Sequence, residues 1–275
     1  MSICKTSPSS NTCGKTEDTC GIKNNPMNNI DKVIGVMSGK GGVGKSTVSV
    51  LIAKQLREQG YKVGILDADI TGPSIPRLLG IQNAELKSGK GFLYPVTTDD
   101  GIKVMSFNFL VKDENQPALW RGPIIGSPVE QFWMEVLWEE LDYLIIDMPP
   151  GTGDVALTVM QSIPITGLVM VSVPQDMVSM IVAKAVNMAK TMDIDVLGII
   201  QNMSYVSCPC CDEQIKLFDS ENTDEYFKDL DVKLLGEMPM IPGISNISTK
   251  GYEDSSKEID LIFKPILENI MKDLK

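Results

Sequence analysis

Large apolar residues are scarce over residues 1–29, where Ser, Thr, Asn, Lys and Cys dominate, and they recur in short regular groups from Ile30 onward. This contrast predicts a flexible Cys-containing N-terminal tail over 1–29 and a folded domain over 30–275. Val33-Ile34-Gly35-Val36-Met37 is a continuous apolar run, the pattern of a strand buried on both faces. Beyond a Gly-rich loop, Val48, Leu51, Ile52 and Leu56 recur at helical spacing, and Gly60 supplies a helix stop. Val63 to Leu66 forms the next strand and ends at Asp67. The stretch from Asn83 to Gly101 predicts a hairpin-like excursion, followed by a strand from Ile102 to Phe107. Val129, Phe132, Trp133, Val136 and Leu137 mark an amphipathic helix, and Leu144 to Ile146 a strand closed by Asp147. Gly167 to Val173 and Val196 to Ile200 are two more strands, and Leu234 to Gly236 closes the sheet. Ile259 to Leu274 is helical, with Pro265 expected to break it or start a fresh turn. Strands alternating with helices predict an α/β fold with a mostly parallel central sheet flanked by helices, and ligands at the carboxyl ends of its strands.

Composition narrows the chemistry. The 275 residues are 43% hydrophobic and 22% charged, which excludes disorder throughout and suits one large domain or two small ones. The longest apolar runs fall short of a membrane span and the N-terminus lacks an apolar signal core, so a cytoplasmic location is expected. Twenty-five basic against 36 acidic side chains give a net charge of −11 with no dense Lys/Arg block, which argues against nucleic acid or an anionic membrane as partner. The chain has no His, which removes His-based acid–base catalysis and every His-containing metal site. Metal ligands are therefore expected to come from Cys or carboxylates. The six cysteines fall into two groups, Cys4, Cys13 and Cys20 in the tail and Cys208, Cys210 and Cys211 far downstream. Clustered cysteines without an export signal read as metal or redox sites more readily than as disulfides.

Gly39-Lys40-Gly41-Gly42-Val43-Gly44-Lys45-Ser46 matches G-x-x-x-x-G-K-[ST] between a predicted strand and a predicted helix. Its glycines let backbone N–H groups wrap a polyphosphate, and the helix N-terminus adds partial positive charge. Lys45 is expected to reach the β- and γ-phosphates of ATP, Ser46 to hold Mg²⁺ and Thr47 to contact the α-phosphate. Asp67 and Asp69, after the second strand, can orient water and Mg²⁺ beside such a loop. Asp147 ends another apolar strand, where a carboxylate holds Mg²⁺ through water, and Gly151-Thr152-Gly153 follows as a loop able to sense a terminal phosphate.

Cys208 and Cys211 form a C-x-x-C in Cys208-Pro209-Cys210-Cys211. Two thiolates are half the set that tetrahedral Zn or a [4Fe–4S] cluster needs, and two subunits pairing would complete it. A thioredoxin-like redox pair and a local Zn site using Cys210 stay open as alternatives, and Cys210 itself reads as a spare thiol or a transfer ligand. Cys4, Cys13 and Cys20, separated by 8 and 6 residues, fit no standard motif.

The second lysine of the loop, Lys40, resembles the deviant Walker A motif of the MinD/ParA/Mrp group of P-loop ATPases. The stretches Ser38–Thr47, Asp67–Pro76, Arg121–Pro123, Asp147–Asp154, Pro174–Asp176 and Asn202–Cys211 are similar to the Mrp/ApbC/Nbp family of iron–sulfur carrier ATPases. The resemblance covers roughly residues 31–245, with Thr71 standing where many members have Tyr. It implies a MinD-like P-loop fold and a homodimer in which Lys40 reaches the partner's nucleotide. Asp69 would position the attacking water, Asp67 support the metal shell and Asn202 bond the adenine edge. It further implies a transient [4Fe–4S] cluster, with Zn a possible substitute, on the paired C-x-x-C motifs and handed to apo-proteins. Some members carry a second cluster in an N-terminal four-Cys motif, for which the tail here has one cysteine too few. The competing functions are weaker. A MinD-like membrane helix needs a basic face, and Lys264, Lys272 and Lys275 are offset by Glu258, Asp260, Glu268 and Asp273. A ParA-like DNA surface conflicts with the net charge. A Zn-bridged scaffold leaves Lys45, Asp69 and Asp147 without a role.

Overall fold

The computed structural model describes residues 24–69, 72, 74–110, 128–174, 176–208, 210–211, 213–216, 230–240 and 256–274. Cys4, Cys13, Cys20, Thr71, Arg121–Pro123 and Gln175, all singled out above, lie outside the described residues. In chain order the strands are β1 Asn29–Ser38, β2 Val63–Asp67, β3 Lys87–Gly89, β4 Phe92–Tyr94, β5 Val96–Thr97, β6 Lys103–Ser106, β7 Glu140–Asp147, β8 Gly167–Ser172, β9 Val196–Gln201, β10 Tyr205–Ser207, β11 Gln214–Lys216 and β12 Leu234–Glu237. The helices are α1 Lys45–Glu58, α2 Ile75–Leu78, α3 Pro128–Glu135, α4 Asp154–Ser162, α5 Asp176–Thr191 and α6 Ser256–Asp273.

Among the described residues, eight strands form the central sheet in the order β12-β9-β8-β1-β7-β2-β6-β5. Every pairing is parallel except β5 with β6 at one edge. The apolar run of β1 is buried along its C-terminal half, as helices on both faces require. The excursion expected over Asn83–Gly101 is the β3–β4 hairpin followed by β5, and β12 closes the opposite edge. α1 buries Val48, Leu51, Ile52 and Leu56 completely, and Gly60 follows its end at φ +94°.

Two features depart from the sequence pattern. α6 runs unbroken through Pro265, whereas a break or fresh turn was expected there. The proline removes the hydrogen bond to the Leu261 carbonyl, but Leu261 is 77% exposed, so water can serve that oxygen. Ile259, Phe263, Ile266, Leu267 and Ile270 form a continuous buried stripe that anchors the helix on both sides of the proline. At the other end of the chain, residues 24–28 are fastened to the body. Trp133 Nε1 donates to Asn24 Oδ1 at 3.0 Å, Asn25 Nδ2 to the Met134 carbonyl at 2.9 Å and Asn28 Nδ2 to the Val136 carbonyl at 2.9 Å.

Candidate nucleotide and thiol site

β1 ends at Ser38 and the chain turns through Gly39–Gly44 into α1. Gly44 caps that helix in the left-handed region, φ +86°, with no side chain bonded over the first turn. The leading N–H groups are therefore left for an external acceptor. A Cβ placed on Gly41 or Gly42 would meet nothing within 4 Å, so open space lies over the loop where a phosphate would sit. The Ser38 hydroxyl donates to the Lys40 carbonyl at 3.0 Å, and Gly151 N–H donates to the Ser38 carbonyl at 2.8 Å. The loop after β7 is thereby docked on the start of the glycine loop.

Strand register builds the acidic part of the site. In one row across the sheet, Asp147 pairs with Val36 of β1 on one side and with Asp67 of β2 on the other, and Asp67 pairs with Ser106 of β6. Parallel neighbours in register project to the same face, so the carboxylates of Asp67 and Asp147 are side by side. Both are fully buried. The Ser46 and Ser49 hydroxyls donate to Asp147 at 2.6 and 2.8 Å, and the Lys45 ammonium lies 2.8 Å from it. Asp69 reaches the same ammonium at 3.7 Å. Ser106 donates to Asp67 at 3.0 Å and the Asp69 N–H at 3.2 Å. Burial, and then the charge of Asp147, push the Asp67 carboxyl well above the ordinary carboxylate value, against the pull of these donors and of Lys45.

The Lys45 ammonium is buried without a hydrogen-bond acceptor in good geometry, so its contact with Asp147 is an ion pair only. A buried cation lacking an acceptor, beside open space and a free helix N-terminus, fits a polyphosphate oxygen. The Ser46 hydroxyl with the Asp147 carboxylate is a hard-oxygen pair of the kind Mg²⁺ takes.

The sequence expectation for Asn202 meets a further contact. Its side chain is buried, Nδ2 donates to the Val43 carbonyl of the loop at 2.9 Å, and its Oδ1 accepts from Met203 N–H at 3.0 Å. From there the chain enters a two-stranded antiparallel hairpin, β10–β11, that carries the cysteines. Cys208 N–H donates to the Glu213 carbonyl at 2.9 Å. Cys208 is half-buried, Cys210 and Cys211 are exposed, and all three thiols are free. The Cys210 N–H, and then the Cys211 thiol and N–H, hold the Cys208 thiol below its ordinary value. Among the described residues no three Cys or carboxylate side chains of one chain converge to hold a metal ion.

Structure thus brings Lys45, Ser46, Asp67, Asp69 and Asp147 together at the carboxyl edge and sets Gly39, Lys40, Gly41, Gly42, Val43, Gly44 and Thr47 around the loop. Ser49 and Ser106 were not anticipated. Ser49 lies one turn after Lys45 and three residues after Ser46, on the same helix face, and that spacing was a usable signal. Ser106 offered none, being a single serine at a strand end. Two further clefts, of about 550 and 280 Å³, lie at the amino ends of the strands, and the Lys62 and Lys103 side chains lining the larger are paired with Glu140 and Glu139.

The family model of NUBPL iron-transfer P-loop NTPases matches residues 29–275. The chain belongs to the NUBPL family of P-loop NTPases. It is 47% identical over 247 residues to an iron-sulfur cluster carrier protein of Clostridium perfringens, covering 86% of this chain and 87% of that one. It is 42% identical over 279 residues to an iron-sulfur cluster carrier protein of Methanocaldococcus jannaschii, covering 97% and 96%. A nucleotide-binding protein from Archaeoglobus fulgidus in complex with ADP superposes with a TM-score of 0.72 at 39% identity, covering 90% of this chain and 93% of that one. The cell division ATPase MinD of Pyrococcus furiosus shares the fold, with a TM-score of 0.56 at 19% identity over 88% and 98%. The mostly parallel sheet of this NUBPL-family chain is therefore that of the MinD/ParA P-loop proteins, as its loop lysines imply. Among its described residues no helix is long and apolar enough to cross a membrane.

Proposed function

We propose that this NUBPL-family chain is a Mg²⁺-dependent ATPase and iron–sulfur cluster carrier of the cytoplasm. It works as a homodimer that holds a transient [4Fe–4S] cluster between two C-x-x-C motifs and hands it to apo-proteins. The observation that carries this reading is the placement of a phosphate cradle and a pair of accessible thiols at the two ends of one short segment, from Asn202 to Cys211. Lys45 binds the β- and γ-phosphates, Thr47 the α-phosphate, and Ser46 and Asp147 hold Mg²⁺, with Asp67 supporting the shell. Mg²⁺, when bound, neutralises charge developing on the phosphates. Asp69 orients water and Lys40 extends to the nucleotide of the second subunit. Asn202 keeps one amide hydrogen beyond its bond to Val43, which suits it to the adenine edge. Cys208 and Cys211 each contribute a thiolate, two per chain and four per dimer.

Anaerobic reconstitution of the full chain with iron and sulfide tests the reading. About four irons and four sulfides per dimer are expected, lost when Cys208 and Cys211 are both replaced by Ala. Iron undiminished in the double variant places the cargo elsewhere, and zinc alone or no metal sinks the carrier assignment.

A further inference from the structure

We infer that Asn202 is a positioning residue that ties the phosphate loop to the cysteine hairpin, so that phosphate held by the loop sets the placement of Cys208. The inference rests on the carrier-ATPase reading and supplies the link that reading lacks. The Asn202 side chain reaches back 159 residues in sequence to donate to the Val43 carbonyl at 2.9 Å. It fills the space beside Gly44 so closely that a Cβ there would fall 2.2 Å from Nδ2. The peptide joining Val43 to Gly44 is planar and trans, so the carbonyl that Asn202 holds and the Gly44 N–H point in opposite directions. Fixing one fixes the aim of the other. A phosphate drawing on Gly44 N–H therefore turns the Val43 carbonyl against Asn202.

Downstream of Asn202 little slack remains. Its own N–H donates to the Ser172 carbonyl at 2.7 Å. Met203 holds a left-handed corner at φ +55°, a conformation that an unbranched L-residue adopts only where its surroundings impose it. Ser204 is bonded through its N–H to the Met238 carbonyl at 2.9 Å and through its hydroxyl to the Gln201 carbonyl at 3.0 Å. Met240 N–H then holds the Tyr205 carbonyl at 2.7 Å, and three residues of β10 lead into Cys208. The Asn202 amide and the thiols are thus joined by one corner and one short strand, and it is through this stretch that the inferred link runs.

The test uses the metal-free full chain and a readout independent of cluster loading. Cys208 is alkylated with N-ethylmaleimide at one fixed pH, with and without a non-hydrolysable ATP analogue and Mg²⁺ at concentrations saturating each variant, and its modification rate is read by peptide mass spectrometry. In the wild type the analogue should change the rate at Cys208 severalfold. In Asn202→Asp, whose carboxylate can donate neither to Val43 nor to an adenine, analogue should bind more weakly, and at a concentration that saturates the variant the dependence at Cys208 should vanish. Asn202→Asp with undiminished dependence overturns the inference, as does a wild type that binds analogue without any change at Cys208. If Asn202→Asp fails to bind analogue, Met203→Gly decides, because it loosens the corner and leaves the amide in place. Loss of dependence there supports the link and its persistence overturns it. A wild type that binds no analogue overturns the ATPase reading, and this inference with it.

Discussion

Asp67 sits beside a second buried carboxylate, Asp147. Two neighbouring strand-end carboxylates are withdrawn from water, and one buried ammonium, 2.8 Å from Asp147, serves both. Because the folded chain raises the Asp67 value above that of the unfolded chain, protonation favours folding. The resulting contribution is fully present at acid pH below the ordinary carboxylate value and is lost as pH rises through the elevated one. Asp67→Asn is therefore expected to be more stable than the parent at pH 8, by about 1 kcal/mol or about 2–4 °C in Tm, with the gap closing towards acid. Thermal unfolding across pH measures it, and a gap that widens as pH falls contradicts the assignment. The carboxylates were legible in the sequence because each ends an apolar run, and a run shows where a strand stops. The partners that tune them were not, because Ser49 and Ser106 have their effect only through helix face and strand register. Asn202 was legible as a residue of interest, but its bond to Val43 was not, since that contact joins loops 159 residues apart that only the pairing of β9, β8 and β1 brings together.

Elements that carry an apolar run could be read in advance, down to the four residues of β12, and short hairpin strands without one could not. α1, β1, β7 and α6 all announce themselves, whereas β10 and β11, three residues each, offer no periodicity to read. α6 shows the opposite failure, in which a strong local signal is overruled. Its buried stripe outweighs the defect at Pro265, which lies on the exposed side. Pro265→Ala restores a backbone donor and removes the ring's clash without disturbing the core. It should stabilise the chain by about 1–2 kcal/mol, the helix-propensity gain less the entropy that proline removes from the unfolded chain. Equal or lower stability in chemical denaturation would mean that the helix has adapted fully to the proline.

At the scale of the whole molecule, the reading requires two chains. On the proposed reading Lys45 would serve the nucleotide of its own subunit and Lys40 that of the other, which would put the two lysines in different sites of one dimer. Lys40→Ala and Lys45→Ala should each lower ATP turnover by about a hundredfold or more when pure. Mixed and allowed to exchange subunits, they should recover part of the lost turnover, because a mixed dimer contains one site with both lysines intact. Absence of recovery under demonstrated exchange places Lys40 in its own subunit's site. The asparagine clasp at residues 24–28 has a different consequence, one of where a tether begins. It pins the start of the body at the amino end of β1, whereas the segment from Asn202 to Cys208 leaves the sheet at the carboxyl end of β9. The clasp thus ties whatever precedes Asn24 to the edge of the sheet opposite the phosphate loop, and any service it gives to the nucleotide or thiol site must be reached from there.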